Sequence, residues 1–402
     1  MAPPSLTILE TSQISPSAAA APPPPPTNSL PLTFFDIFWL YSPPVERLFF
    51  YEFSAAAAAP SFLPALKSSL SVALQSYFPL AGRLRRSPPP PTGDRVPAPR
   101  RRRRRRGAPR RLRRLHLHAV LERVGGRLPQ NSEPDAVLPP PPPPPPLVDR
   151  SVISDPRGLY SIFYRDLPSP DDFKFHADPA AAAADGVLFA SFELTRTHIQ
   201  AIKKWIAARS PRPINCSTTV AAYAFVWAGH ARARRSSCAG GGARRRRLHF
   251  MFPADFRRRV EPPIPAEYFG NCIGPCFAEA DAEELLGGAG LAAAAAAIAR
   301  GIEELSSGLE GAEDWMRRVK AVAAEQPLSA AGSPRFGVYE TDFGWGRPRR
   351  VEIVSVANTG AVALAESPDE DEGDVQIGLG LRRPELESFQ DYFVQALKDV
   401  TE

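Results

Sequence analysis

Few residues in this sequence could do chemistry, and they fall into three groups. The first is a pair of cysteines, Cys272 and Cys276, four positions apart with His249 upstream. A structural zinc site needs four ligands and no second pair follows, so the spacing does not make a metal site. Together with Cys216 and Cys238 the chain holds 4 cysteines, too few and too scattered for a disulfide framework. Buried, reduced thiols are the expectation. The second group is the run Asp342-Phe343-Gly344-Trp345-Gly346. Glycines on both sides of Trp345 suit a tight loop whose backbone conformations are closed to other residues. Trp345 can pack there while its N–H finds a partner. Asp342, beside apolar Phe343, would be costly to bury alone and so requires a cationic partner. The third group is the arginine-rich stretch Arg100–Arg114, which could bind phosphates in a salt-dependent way. It lacks interleaved aromatics and any reading module, so nucleic-acid binding is only a remote alternative.

These groups must be positioned by a chain of 402 residues, 44% of them hydrophobic. That is enough for two domains of ordinary size with a substantial core. No apolar stretch is long enough to span a bilayer. Met1–Ala21 lacks the basic-then-apolar order of a secretory signal. A cytoplasmic protein, not attached to membrane, is expected. The net charge of +6 misleads. Residues Arg95–Arg127 hold fourteen arginines and one acid, Glu122, which makes that segment +13 and leaves −7 for the rest of the chain.

Leu6–Ile14 alternates weakly, as a first strand would. The aromatic stretch Leu30–Phe53 reads as a helical turn and a buried strand on either side of Ser42-Pro43-Pro44. Near-helical apolar spacing from Pro60 to Leu80 predicts an amphipathic helix stopped by Pro79. Between Ser87 and Pro146 the character changes: four prolines (Pro88–Pro91), seven arginines (Arg100–Arg106) and eight prolines (Pro139–Pro146) leave little apolar periodicity. Such composition predicts disorder or polyproline II. Order returns at Leu147. Strands are predicted over Gly158–Leu167, Gly186–Phe192, Leu248–Ala254, Asn271–Ala278, Val351–Val356, Val362–Glu366 and Val375–Leu381. Helices are predicted over Thr195–Ala208, Ser217–Arg232, Leu291–Leu309, Glu313–Ala324 and Glu385–Leu397, the first two with hydroxyl caps at their starts. Gly270 and Asn271 suit a turn before the Cys272–Phe277 strand. The mixture lacks the alternation of a doubly wound sheet and has no nucleotide-binding glycine loop, so the class is α/β with mixed sheets and flanking helices. The expected division is a first domain over 1–194 (with about 87–146 low in complexity), a helix and crossover linker over 195–214, and a second domain over 215–402.

Five strings then stand in a definite order. They are Leu32-Thr33-Phe34-Phe35-Asp36; Leu66–Ser71 with Tyr77–Leu84; Asn215–Thr218 running to Ala224–Trp227; Tyr268-Phe269-Gly270-Asn271-Cys272; and Asp342–Gly346. Any one could arise by chance, but their ordered occurrence over about 315 residues is not accidental. In that order they resemble the landmarks of the plant BAHD (HxxxD-type) family of acyl-CoA-dependent acyltransferases. Tyr268–Cys272 is similar to the signature of the clade that acylates anthocyanin and other phenolic glycosides, often with malonyl groups. The resemblance implies a two-domain, chloramphenicol-acetyltransferase-like fold. It implies transfer of an acyl group, malonyl or hydroxycinnamoyl, from an acyl-CoA such as malonyl-CoA to a hydroxyl of a phenolic or flavonoid glycoside. No metal, no bound cofactor and a monomer are implied as well. Asp342 is implied to pair with an arginine of Asp255-Phe256-Arg257-Arg258-Arg259, Arg257 first among them, as a structural anchor near the CoA channel.

In such enzymes the histidine of a His-x-x-x-Asp motif takes the proton of the acceptor hydroxyl as it attacks the thioester carbonyl, a task suited to imidazole. This sequence has no such motif at the expected place. His118-Ala119-Val120-Leu121-Glu122 comes nearest, with Glu122 for Asp and Arg123 for the usual Gly, and makes His118 the candidate base. The alternative is that the string is accidental. His116, His176, His198, His230 and His249 all lack an Asp four residues on. From Leu84 to His118 is 34 positions, roughly half of what the resemblance implies there. In GC-rich coding DNA a frame shift turns repeated GCG alanine codons into CGC arginine codons, so Arg95–Gln130 reads as a shifted or mis-spliced stretch. Transcript sequencing across Leu84–Arg150 tests this; an intact in-frame message encoding the arginines would sink it. A catalytically inactive or truncated family member is therefore the leading alternative.

Overall fold

The computed structural model describes residues 10–17, 30–42, 45–52, 62–82, 145–167, 186–235, 247–343, 345–368 and 373–402. The aromatic run after the first proline tract begins with a reciprocal cap. Asp36 accepts hydrogen bonds from the Thr33 N–H at 2.9 Å and the Thr33 hydroxyl at 3.0 Å, which starts helix α1 (Phe34–Phe38). All five residues of this short helix are buried. Strand β1 (Arg47–Phe50) follows the proline break. It is not the buried strand expected: Leu48 and Phe50 are each 47% exposed while Phe49 packs inward. The reason is that β1 pairs antiparallel only with β6 (Arg350–Ile353), forming a two-stranded ribbon with one face on the protein. Helix α2 (Leu63–Ser76) ends before Pro79, within a 3-10 turn over Phe78–Ala81. Of the strand expected over Leu6–Ile14, residues 10–14 are described and are not in a strand.

Gly158–Leu167 corrects the sequence reading. It forms helix α3 (Leu159–Asp166), not a strand. Asp155, upstream of the turn, accepts from the N–H groups of Leu159 (2.7 Å) and Tyr160 (2.8 Å), satisfying donors that a helix start leaves open. Leu159 and Phe163, four apart, then bury on one face while Tyr160 and Tyr164 stay exposed.

A six-stranded mixed sheet has the order β2-β8-β7-β5-β3-β4. Its strands are β2 (Val187–Leu194), β3 (Arg247–Asp255), β4 (Ile273–Asp281), β5 (Leu328–Gly332), β7 (Val362–Glu366) and β8 (Val375–Arg382). Pairing is parallel for β3–β5 and β5–β7 and antiparallel for the rest. Strand β2 forms one end of this sheet, so residues preceding 195 complete a layer built otherwise from the second half. The predicted strand Val351–Val356 is divided: β6 stops at Ile353 and helix α9, the single turn Val356–Thr359, follows.

The flanking helices are α4 (Arg196–Arg209), α5 (Thr218–Ala233), α6 (Ala282–Leu286), α7 (Gly290–Glu304), α8 (Trp315–Ala323) and α10 (Arg383–Thr401). Thr195 caps α4, its hydroxyl accepting from His198 N–H at 3.2 Å, and Ser217 caps α5 through Val220 N–H at 3.2 Å. Helix α5 is apolar on every face and nearly wholly buried, as such a helix must be. It packs against α4, α7 and α10. The same continuous core extends under α1, where Phe34, Phe163, Phe256 and Trp315 meet; each ring so buried contributes about 1.5–3 kcal/mol. Among the described residues no helix is long and apolar enough to cross a membrane.

Candidate active site

The Asp342–Gly346 run lies between a 3-10 turn (Val338–Glu340) and β6. Asp342 is exposed, and its Oδ1 accepts from the N–H groups of Trp345 (2.9 Å) and Gly346 (3.0 Å). These bonds close the loop, and Gly346 takes the positive φ of +83° that glycine tolerates. Gly344 is outside the described residues. Arg257 has a different ion-pair partner from the one expected. Its guanidinium lies 3.3 Å from Asp255, two residues earlier in the same turn, and reaches the carbonyls of Tyr268 and Gly270 at 3.5 Å. The expectation rested on a buried Asp342. An exposed carboxylate that folds back on backbone N–H groups does not need Arg257.

Two aromatic side chains of this loop face inward. Phe343 is 8% exposed, and its ring centroid lies 5.7 Å from that of Tyr51 and 5.4 Å from that of Trp345. Trp345 also meets Phe62 at 4.4 Å and Tyr51 at 5.3 Å. The Tyr51 hydroxyl donates to the Thr341 carbonyl at 2.7 Å. Burial, with the Asp342 carboxylate nearby, pushes the Tyr51 phenol above its ordinary pKa.

The second string, Tyr268–Cys272, is buried throughout. Phe269 packs at a tilt against Tyr77, ring centroids 5.1 Å apart, and joins Phe343, Trp345 and α2 in one hydrophobic cluster. The structure therefore brings together three of the five landmark strings: the α2 segment with Tyr77, Phe269, and the Phe343–Trp345 loop. Asn271 links a fourth, donating through Nδ2 to Asp36 Oδ1 at 2.9 Å. Cys272 is a free thiol, as are Cys276 and the half-buried Cys216. Burial pushes the Cys272 and Cys276 thiols up to about 12, so they are protonated and inert at neutral pH. Cys238 is outside the described residues, and among those described no group of side chains could hold a metal ion.

One residue here was not singled out from the sequence. Arg150, 7% exposed, donates through Nη1 to the Tyr268 hydroxyl at 2.7 Å and to the Phe269 carbonyl at 3.0 Å. It stands four residues after the end of the proline run at Pro146. The only signal for it was that order resumes at Leu147; periodicity says nothing about a buried cation.

A cleft of about 250 Å³ opens between α1, the segment before α3 and the turns after β3 and α7. Phe34, Phe35 and Ile264 are among its apolar walls, and Asp155, Arg157, Arg259 and Glu261 supply its charge. Among the described residues no imidazole lines it. His198 is held in the cap of α4, with its Nδ1 3.3 Å from the Thr195 N. His230 is buried in α5, and burial followed by Arg234 lowers its pKa to about 3. His249 sits 3.1 Å from Glu325 and 3.8 Å from Glu279 on the β3–β4 surface. His118, like His116, His176 and the arginine run, lies outside the described residues.

The model of the Transferase family matches residues 5–92 and 172–395, leaving out the stretch that contains the arginine and proline runs. Phenolic glucoside malonyltransferase 2 of Arabidopsis thaliana is 28% identical over 473 aligned positions, covering 98% of this chain and 99% of the relative. Coumaroyl-CoA:anthocyanidin 3-O-glucoside-6''-O-coumaroyltransferase 2, also of Arabidopsis thaliana, is 28% identical with 97% of both chains covered. Among solved structures, vinorine synthase superposes with a TM-score of 0.59 at 16% identity, over 94% of this chain and 95% of that one, a likeness of fold. The chain belongs to the Transferase family, that is, to the CoA-dependent BAHD acyltransferases. The α/β fold with mixed sheets and flanking helices is the one the sequence resemblance implied.

Proposed function

We propose that this chain moves an acyl group from an acyl-CoA to a hydroxyl of a phenolic or flavonoid glycoside, as a cytoplasmic monomer. The observation that carries this reading is similarity along nearly the whole of both chains to transferases named for glucoside acceptors. Those names divide between malonyl and coumaroyl donors, the two kinds of acyl group that the Tyr268–Cys272 string also implies. The acceptor hydroxyl attacks the thioester carbonyl, the C–S bond breaks, and CoA leaves as its thiol. A base must take the hydroxyl proton. The three described imidazoles are committed elsewhere: His198 to a helix cap, His230 to the core, His249 to two glutamates. That leaves His116, His118 and His176, and His118 is the base in this proposal because its string comes nearest to the His-x-x-x-Asp motif. Asp342, Phe343, Gly344, Trp345 and Gly346 serve as scaffold for the channel in this proposal, and Arg257 steadies the turn beside Tyr268–Cys272.

A second reading is favoured by a specific observation. The alignment to the first relative runs over 473 positions against the chain's own 402 residues, and the family match breaks off between residues 92 and 172. A family member lacking the strands and histidine normally placed there would be inactive. Purified protein incubated with malonyl-CoA or coumaroyl-CoA and a panel of phenolic glucosides separates the two. Turnover that His118→Ala abolishes supports catalysis by this chain. Absence of turnover, with activity in a version carrying a restored His-x-x-x-Asp segment, supports the inactive member.

A further inference from the structure

Tyr268–Cys272 is five residues long and holds three separate parts of the chain. The N–H of Phe269 donates to the Leu147 carbonyl at 2.7 Å, and the Leu147 N–H donates to the Glu267 carbonyl at 2.9 Å, forming a short parallel bridge. Arg150 then turns back, its guanidinium 5.4 Å from the centre of the Tyr268 ring and bonded to the Tyr268 hydroxyl. Asn271 reaches α1 through Asp36, whose carboxylate also closes the cap at Thr33. The Cys272 carbonyl accepts from Phe256 N–H at 2.8 Å, fixing the turn after β3. Leu147, Arg150 and Asp36 all precede residue 195; the string itself belongs to the second half.

A motif that reads the acyl donor must present an atom to it. Here the Tyr268 hydroxyl is taken by Arg150, the Asn271 amide by Asp36, and all five residues are buried. We propose that Tyr268–Cys272 is the latch between the two halves of the protein, with Arg150 and Asn271 as positioning residues, and that it acts on acyl transfer only by setting how the halves meet. Its association with malonyl transfer then reflects the shape of the assembled channel, not contact with the malonyl group.

The latch is tested by reversing one of its hydrogen bonds in the full chain. Asn271→Asp sets two carboxylates against each other, and Asp36→Asn removes the charged acceptor. Each should raise amide hydrogen exchange over Thr33–Phe38 by about tenfold, the equivalent of a lost buried hydrogen bond. The double variant restores a donor–acceptor pair and should bring exchange back towards that of the unaltered chain. Single variants with unchanged exchange, or a double variant no better than the worse single, would overturn the latch. A second measurement separates positioning from donor contact and rests on the proposed function. Arg150→Lys should weaken calorimetric binding of malonyl-CoA and coumaroyl-CoA alike, with their ratio kept within about twofold; a larger change in ratio places the acyl group at the string and overturns the proposal. If the unaltered chain binds neither thioester, the donor reading fails while the exchange result still decides the latch.

Discussion

The guanidinium of Arg150 and the backbone of Gly270 adjoin so closely that no side chain fits between them: a Cβ at position 270 would stand 1.9 Å from Arg150 Nη1 and 2.4 Å from the Tyr268 hydroxyl. Glycine is required here by space rather than by backbone angle. Gly270→Ala should therefore destabilise by about 1–3 kcal/mol, the usual cost of overpacking a filled site. Thermal unfolding of the variant beside the unaltered chain measures it, and an unchanged midpoint would show that Arg150 moves aside freely.

Tyr51 holds the Asp342 loop in two ways, by its ring and by its hydroxyl. Tyr51→Phe keeps the contacts with Phe343 and Trp345 but leaves the Thr341 carbonyl without that donor. A loss of about 1 kcal/mol is expected. Tyr51→Ala removes the ring as well and should cost about 3–5 kcal/mol if the cavity stays open. Denaturant titration of the two variants gives the division between hydroxyl and ring.

Acid should destabilise the protein through His230. Its folded pKa, about 3, lies below the ordinary value of 6.5, because the buried ring resists protonation. The unfolded chain thus binds the proton first, and this contribution, fully present above pH about 6.5, is lost as pH falls towards 3. His230→Gln, neutral throughout, should flatten the stability profile across that window when unfolding is followed at several pH values.

Alkali acts on the thiols with the opposite sign. Cys272 and Cys276 titrate near 9 when unfolded and near 12 in their buried sites. Stability should be complete below pH about 9 and fall as pH rises towards 12, since the unfolded thiols ionise first. Tyr268 and Tyr339, raised by burial from 10 to about 12, add to the loss only above pH about 10. Replacing both cysteines by alanine should shrink the decline between pH 9 and 10, to which the Cys216 thiol, also raised by burial, still contributes, and leave the later one. Chemical unfolding at pH 8, 9.5 and 11 checks the order.

Local signals were legible where one element depends on its own residues. Hydroxyl residues announced the starts of α4 and α5, although only the structure selects Thr195 over Thr197 and Ser217 over Thr218 and Thr219, and the apolar run of α5 announced an apolar helix. The strand expected over Gly158–Leu167 is a helix because Asp155, outside that segment, caps its start. At β1, aromatic density suggested burial, but exposure depends on which strand lies alongside, and β6 is some three hundred positions away. The strings that mark the family could be read in order; their meeting through Phe269, Tyr77 and Phe343 could not. Arg257 shows the same limit. A charge finds its nearest partner in the folded turn, and for Arg257 that is Asp255.

Strands β1 and β6 pair Arg47 with Ile353, and β2 pairs Val187 with Arg382, so both early strands wait for late ones. During synthesis the ribosome must deliver nearly the whole polypeptide before either ladder can form. Until then Phe49 and the strand edges that β6 and β8 later cover are available to other chains, and such non-local closure is slow. Yield in the cell should therefore be limited by chaperone supply and growth temperature more than by the stability of the finished molecule.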